Sequence, residues 1–228
     1  MKETKDFFDK HSKDYAAQDR YQHLFYKWVI DNVIKEISKD KSRIVDLGSG
    51  TGELSLRIAS RFPQSQILGV DISEGMISQA KKKAKQTGAK NISFILSPLE
   101  KLSAGQFDFA VSSFSFHHIK NKEQLMTNIY KMLHWGGKLI VGDFFEPSKK
   151  YEKEIEKLRE TYPQGAAEFD RSWEEALKSW GAEFSKNHPK EYLVCPLELK
   201  DLMKRAGFSK QKILKLQLAK FAVVVGEK

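Results

Sequence analysis

From Arg43 onward the chain alternates short apolar runs with longer polar segments, and this alternation narrows the available folds more than any other feature. The runs are Arg43–Leu47, Gln66–Asp71, Ile92–Leu96, Phe107–Ser113 and Lys138–Asp143. They read as five strands, with helices of ten to fifteen residues between them. Repeated βα units of this kind build a parallel sheet. The second of these helices has the clearest limits. Ser73 suits its N-cap, Glu74 places an acid in the first turn, where the helix dipole favours one, and Gly88 suits its stop.

The flanks follow other patterns. Residues 1–40 read as a helical cover, with Leu24, Phe25, Trp28, Val29, Val33 and Ile37 recurring at steps of three and four. Residues 41–147 carry the five strands. Residues 148–195 break the pattern with a charged helix over Tyr151–Tyr162, followed by an aromatic stripe of Phe169, Trp173, Leu177, Trp180 and Phe184 at helical spacing. Residues 196–228 return to order with a helix over Leu197–Ala206, a stop at Gly207, and two β-rich runs, Ser209–Gln217 and Phe221–Gly226, that read as a closing antiparallel hairpin.

Composition removes several classes. A chain of 228 residues is long enough to bury a core without staples. Its one cysteine, Cys195, forms no internal disulfide, and scattered histidines give no zinc spacing, so no metal is expected. A charged start, Met1-Lys2-Glu3-Thr4-Lys5-Asp6, and the lack of any run near 18 apolar residues point to a cytoplasmic protein with no membrane partner. The net charge of +9 raises nucleic acid as a partner. The lysines are spread along the chain, however, and the dense run Lys81, Lys82, Lys83 and Lys85 reads as a solvated helix face.

The most informative stretch is Val45-Asp46-Leu47-Gly48-Ser49-Gly50-Thr51-Gly52-Glu53, between the first strand and the first helix of the repeat. Its glycines allow a sharp turn and close approach to a ligand, and the N–H groups of the helix start face the same space. About twenty residues on, the second strand ends in Asp71, where a carboxylate can accept hydrogen bonds from a ribose diol. A dinucleotide loop needs a third glycine at position 53, which is glutamate here. With Asp46, that carboxylate would repel a pyrophosphate. A ligand carrying a sulfonium and an ammonium gains from the same charges.

On these residues the chain resembles the class I S-adenosylmethionine-dependent methyltransferases, near the small-molecule group. Further support comes from Gly69-Val70-Asp71-Ile72-Ser73, Phe107-Asp108-Phe109-Ala110-Val111-Ser112-Ser113 with Phe116-His117-His118-Ile119, and Leu133-His134-Trp135-Gly136-Gly137-Lys138-Leu139-Ile140. The resemblance covers about residues 7–146 and 196–228. It implies an α/β, Rossmann-like, mostly parallel seven-stranded sheet, closed by the C-terminal hairpin, with helices on both faces and a helical insertion after strand five. It also implies that Gly48, Ser49 and Gly50 line the methionine part of S-adenosyl-L-methionine, that Asp71 holds the ribose, and that Ile72 and Met76 flank the adenine. Ser97, Pro98 and Leu99 would close over the base, Ser113 and Phe114 would meet the methionine end, and Tyr15 would cap the cofactor. Two positions depart from the pattern: Ser97 stands where many members have aspartate, and Trp135 replaces a proline.

Methyl transfer needs alignment more than acid–base help, but a hydroxyl acceptor must lose a proton. His117 is favoured over His118 as the catalytic imidazole, with His118 serving as a cap or packing group. Asp143 either orients an acceptor or satisfies a loop. Asp71 is expected to be partly solvated in the empty protein and to cost little stability to remove. The aromatic stripe is expected to form a lid over a small, partly hydrophobic acceptor. RNA methylation and a non-catalytic cofactor-binding subunit remain alternatives, while a single cysteine argues against arsenic methylation.

Overall fold

A computed structural model describes residues 2–17, 24–102, 105–146, 156–157, 160–161, 163–180, 188–215 and 221–228. Two helices, α1 (Lys2–Ala17) and α2 (Leu24–Lys35), precede the repeat. There follow β1 (Arg43–Leu47), α3 (Glu53–Arg61), β2 (Gln66–Asp71), α4 (Glu74–Thr87), β3 (Ile92–Leu96), β4 (Phe107–Ser113), α5 (Lys122–Met132) and β5 (Leu133–Phe144). Helix α6 (Pro163–Trp180) lies in the insertion, and α7 (Pro196–Ala206), β6 (Ser209–Lys215) and β7 (Phe221–Glu227) complete the chain.

The seven strands form one sheet in the order β3-β2-β1-β4-β5-β7-β6. Pairings from β3 through β5 are parallel, and β7 runs antiparallel to both β5 and β6. The Rossmann-like sheet with its antiparallel close is therefore present. Central strands such as β1, where four residues in a row are buried, lie under helices on both faces, and Asp46 is the one polar side chain in that buried run. Edge strand β3 instead buries only Phe94.

One face is covered by α2 and α3. Phe25, Val29, Ile30, Leu54 and Ile58 pack there on Ile44, Phe109, Ile140 and Val223. On the other face Leu125, Met126 and Ile129 of α5, with Leu199 and Met203 of α7, pack on Val45, Leu139 and Val224. Each such side chain contributes roughly 1.5–3 kcal/mol by leaving water.

Strand β1 through strand β4 match the expected limits, and α4 is capped as expected: Ser73 Oγ accepts the Met76 N–H at 3.0 Å and Gly88 takes φ 68°. Strand β5 begins at Leu133, five residues before the expected Lys138. Leu133 pairs with Phe107 across a register shift, and the chain's last residue bonds to Gly136 and Gly137 at 2.9 Å each, so the expected turn is drawn into the sheet. Within residues 1–40 the described helices are α1 and α2. Most of the charged helix expected over 151–162 lies outside the described residues. So do the side chains of Phe169, Trp173, Leu177 and Trp180, and the whole of Phe184. Among the described residues, no helix is long and apolar enough to cross a membrane.

Candidate active site

The carboxyl ends of β1, β2 and β4 meet at the point where the strand order reverses, and that crevice is where open α/β sheets bind ligands. The loop after β1 is fixed from below: the Gly48 and Ser49 N–H groups both donate to Val70 O at 2.9 Å. Gly48 has φ 75°, and a Cβ there would lie 1.8 Å from Ser115 Oγ, so only glycine lets this turn pass beneath the residues that follow β4. At the end of β2, Asp71 Oδ2 accepts the Gly50 N–H and its Oδ1 accepts the Ser73 N–H, each at 2.9 Å. Burial raises the Asp71 pKa against these bonds.

Under the loop, Asp46 is 1% exposed and accepts the Ser55 hydroxyl at 2.5 Å on Oδ2. Burial, helped by the nearby charge of Asp71, pushes its carboxyl up to about 7. Asp46 Oδ1 and Ser49 Oγ are buried without a hydrogen-bond partner. Such orphans each cost about 1–3 kcal/mol and mark groups held for a ligand or water.

Above the loop a cavity open to solvent is lined by Gly48, Ser49, Gly50, Thr51, Glu53, Leu54, Asp71, Met76 and Lys83, and by Phe8, Tyr15, Tyr26, Ser113, Phe114, Ser115 and His118. Phe114 holds a backbone φ of 51°, a left-handed conformation that costs a non-glycine residue roughly 1–2 kcal/mol. Its N–H donates to Gly142 O at 2.9 Å, and its ring stacks on Tyr26 at 4.6 Å and 8° between planes, so the strained residue forms an aromatic wall.

After β4, Phe116–His118 form one 3-10 turn rather than the start of α5. This turn separates the two histidines. His117 is 4% exposed and outside the cavity lining; its Nδ1 bonds Asp143 Oδ1 at 2.6 Å, and its N–H donates to Asp143 Oδ2 at 3.0 Å. Asp143 also accepts the Phe144 N–H at 2.8 Å. His118 lines the cavity, and its buried Nδ1 has no partner. Burial, with the nearby charges of His117, His188 and Lys122, pulls the His118 pKa down to about 2, so the ring is neutral at ordinary pH.

Of the residues expected in the cofactor site, Tyr15, Gly48, Ser49, Gly50, Asp71, Met76, Ser113 and Phe114 meet in this cavity. Ile72, Ser97, Pro98 and Leu99 are outside its lining; Leu99 packs in the core beside α5, and Ser97 is tied by its N–H to Asp71 O at 2.9 Å. Sequence reasoning overlooked Tyr26, Leu54 and Ser115, none of which belongs to a local pattern that marks a ligand; Phe8 comes from the same segment as Tyr15, and Lys83, expected on a solvated helix face, lines the cavity instead.

The family is shown by comparison with known proteins. Residues 38–207 match a family model described as a methyltransferase domain, and the chain belongs to that family. It is similar to malonyl-[acyl-carrier protein] O-methyltransferase of Priestia megaterium, with 30% identity over 138 residues, 60% of this chain and 49% of that protein. It is also similar to demethylmenaquinone methyltransferase of Thermus thermophilus, with 30% identity over 125 residues, 54% of this chain and 56% of that one. The chain thus spans about half the length of these curated relatives. Among solved structures, its fold resembles magnesium protoporphyrin IX methyltransferase of Synechocystis with bound S-adenosylhomocysteine, at TM-score 0.68 and 15% identity, covering 98% of this chain and 97% of that one. A methyltransferase of Aquifex aeolicus gives TM-score 0.67 at 15% identity, covering 96% and 97%.

The residues present fit S-adenosylmethionine, the cofactor that the resemblance implies. The loop leaves room for a ligand, the orphaned Ser49 Oγ belongs to a residue that lines it, and the acids Glu53 and Asp71 in the lining suit a cationic ligand better than a pyrophosphate.

Proposed function

We propose that this chain transfers a methyl group from S-adenosylmethionine to a small, planar and largely apolar acceptor. The supporting observation is that the glycine loop with Asp71 and the aromatic wall with His118 open on one cavity. When bound, the cofactor supplies a methyl carbon already activated by its sulfonium leaving group, so alignment carries much of the rate.

The chain's residues then divide the work. Asp71 and the closely approaching glycine loop hold the ligand, and the orphaned Ser49 oxygen gains a partner. Asp143 grips both the backbone and the ring of His117 and thereby sets the turn that presents His118. His118, kept neutral, orients the acceptor through a hydrogen bond, and the proton that a hydroxyl acceptor gives up on methylation passes to solvent rather than staying on the imidazole. We read residues 148–195 as the acceptor's cover.

Relatives are named for two acceptor chemistries, a carboxylate in malonyl-[acyl-carrier protein] and quinone precursors. The second suits this wall better. Phe8, Tyr15, Tyr26 and Phe114 make this lining aromatic, and among the described lining residues the only ammonium, Lys83, lies 3.4 Å from Thr51 in the glycine loop. The single cysteine fits a reducing, cytoplasmic setting.

Calorimetric titration with S-adenosylmethionine and NAD tests the cofactor. Mass spectrometry of reactions offered phenolic, quinol and dicarboxylate acceptors tests the substrate. Binding of S-adenosylmethionine and methylation of a phenol or quinol are expected. Tight NAD binding would sink the cofactor reading, and turnover confined to dicarboxylates would sink the acceptor reading.

A further inference from the structure

We propose that Asp9 is a positioning residue for cofactor binding. It pins α1 across the start of α4 and so holds Phe8 and Tyr15 in the cavity wall. The methyltransferase reading supplies the ligand's identity; the clamp itself is read from contacts within the chain.

Helix α1 buries only Phe7 and Ser12 of its 16 residues. So little core cannot fix a helix of this length, which is marginal without tertiary packing. Polar contacts supply what apolar burial does not. Asp9 Oδ1 accepts the Ser73 hydroxyl at 2.6 Å and the Gly75 N–H at 2.9 Å. The Gly75 N–H belongs to the first turn of α4, where backbone donors have no partner inside the helix and a negative charge is favoured. Lys5 holds the same carboxyl at 2.5 Å. Burial raises the Asp9 pKa, but the bonds from Lys5, Ser73 and Gly75 outweigh it and leave the pKa below the usual carboxylate range.

The fit also requires a small residue on α4. A Cβ at Gly75 would lie 2.7 Å from Ser12 Oγ and 3.0 Å from the Asp9 carbonyl oxygen. The two helices are therefore in backbone contact at the point where Asp9 bonds.

Ser73 joins the clamp to the ligand site. Its N–H is held by Asp71 Oδ1 at 2.9 Å and its hydroxyl by Asp9 Oδ1 at 2.6 Å. One serine is thus gripped by the carboxylate that faces the cofactor and by the carboxylate that holds the cover. Next to Asp9, Phe8 lies edge-on to His118 at 5.2 Å and to Tyr15 at 5.6 Å, and all three line the cavity. Loss of the clamp would release two aromatic walls of the pocket without touching any group that meets the ligand.

Three proteins test this: Asp9→Ala, Asp9→Asn, which keeps an acceptor oxygen, and Gly75→Ala. The last leaves Asp9 intact and replaces a glycine within a helix, which favours α4 itself, yet it pushes α1 away. Hydrogen exchange at the α1 amides and calorimetric affinity for S-adenosylhomocysteine are measured on each. In the ligand-free protein, Asp9→Ala and Gly75→Ala should speed exchange in α1 while β1 and β4 are unchanged. Both should weaken S-adenosylhomocysteine binding about tenfold, roughly the effect of losing one charge-assisted hydrogen bond. Asp9→Asn should recover most of the affinity.

Unchanged α1 exchange in both Asp9→Ala and Gly75→Ala would overturn the clamp whatever the ligand proves to be. Faster exchange with unaltered affinity would overturn its link to binding. If the parent protein bound no S-adenosylhomocysteine, the proposed function would fail, and the exchange data would still decide the clamp.

Discussion

A carboxylate buried with one oxygen unpartnered is an expensive residue to keep, and Asp46 is one. Its pKa, raised to about 7 mainly by burial, means that the folded chain binds more protons than the unfolded chain between the ordinary value of 3.8 and about 7. Stability from this residue is therefore greatest at low pH and is lost as pH rises through about 7. Asp46→Asn should stabilise the ligand-free protein at pH 8. Half the displacement from 3.8 to about 7 corresponds to about 2 kcal/mol. The advantage should shrink toward pH 5, which chemical denaturation at the two pH values measures; equal stabilities at pH 8 would contradict it. The same variant should bind S-adenosylmethionine less well. Asp71 is partly exposed, as expected, but it also ties the loop to the start of α4. Because it already accepts the Gly50 and Ser73 N–H groups, Asp71→Ala should cost about 1–3 kcal/mol of stability as well as tenfold or more in cofactor affinity. Asp71→Asn should lose less of both, and calorimetry beside thermal melting separates the two effects. The glycines and acids of the loop were legible because a local pattern dictates them. The choice between His117 and His118 was not, because it depends on a single 3-10 turn and on Asp143, 26 residues away.

At the scale of elements, strands β1 to β4 could be read to the residue, since apolar runs between helices have sharp ends. The start of β5 was hidden because its first residues are drawn into the sheet by a partner at the far end of the chain. Nothing local announces the contact between α1 and α4 either: Asp9 and Gly75 look like an ordinary surface acid and an ordinary helix glycine until the two helices meet. Helix α6 was legible from its periodicity, and the described positions Glu168, Arg171, Glu174, Glu175 and Lys178 are exposed on it. It lies against α2, which carries Tyr26 into the cavity wall. An element that covers a site is drawn from the less stable parts of a fold. Amides of α6 should therefore exchange faster than those of β1 and β4 in the free protein, and should slow when S-adenosylhomocysteine and an acceptor are both present. Exchange in α6 as slow as in the central strands, with or without ligands, would refute its part as a cover.

In the whole molecule, the described cavity takes its lining from α1, α2, α3, α4 and the ends of β1, β2 and β4, all of which precede β5 in the chain. The remaining strands serve another purpose. Strand β7 follows β6 in sequence yet lies between β5 and β6, so β6 cannot take its place beside the sheet until a later segment has filled the gap. During synthesis this imposes an order of assembly. The outer edge of β5, bearing a row of unsatisfied backbone groups, stays open until Phe221–Glu227 emerge, and an open edge invites pairing with other chains. A ribosome that stalls between β6 and β7 would hold out a chain with its cofactor pocket encoded in full and its most adhesive edge uncovered.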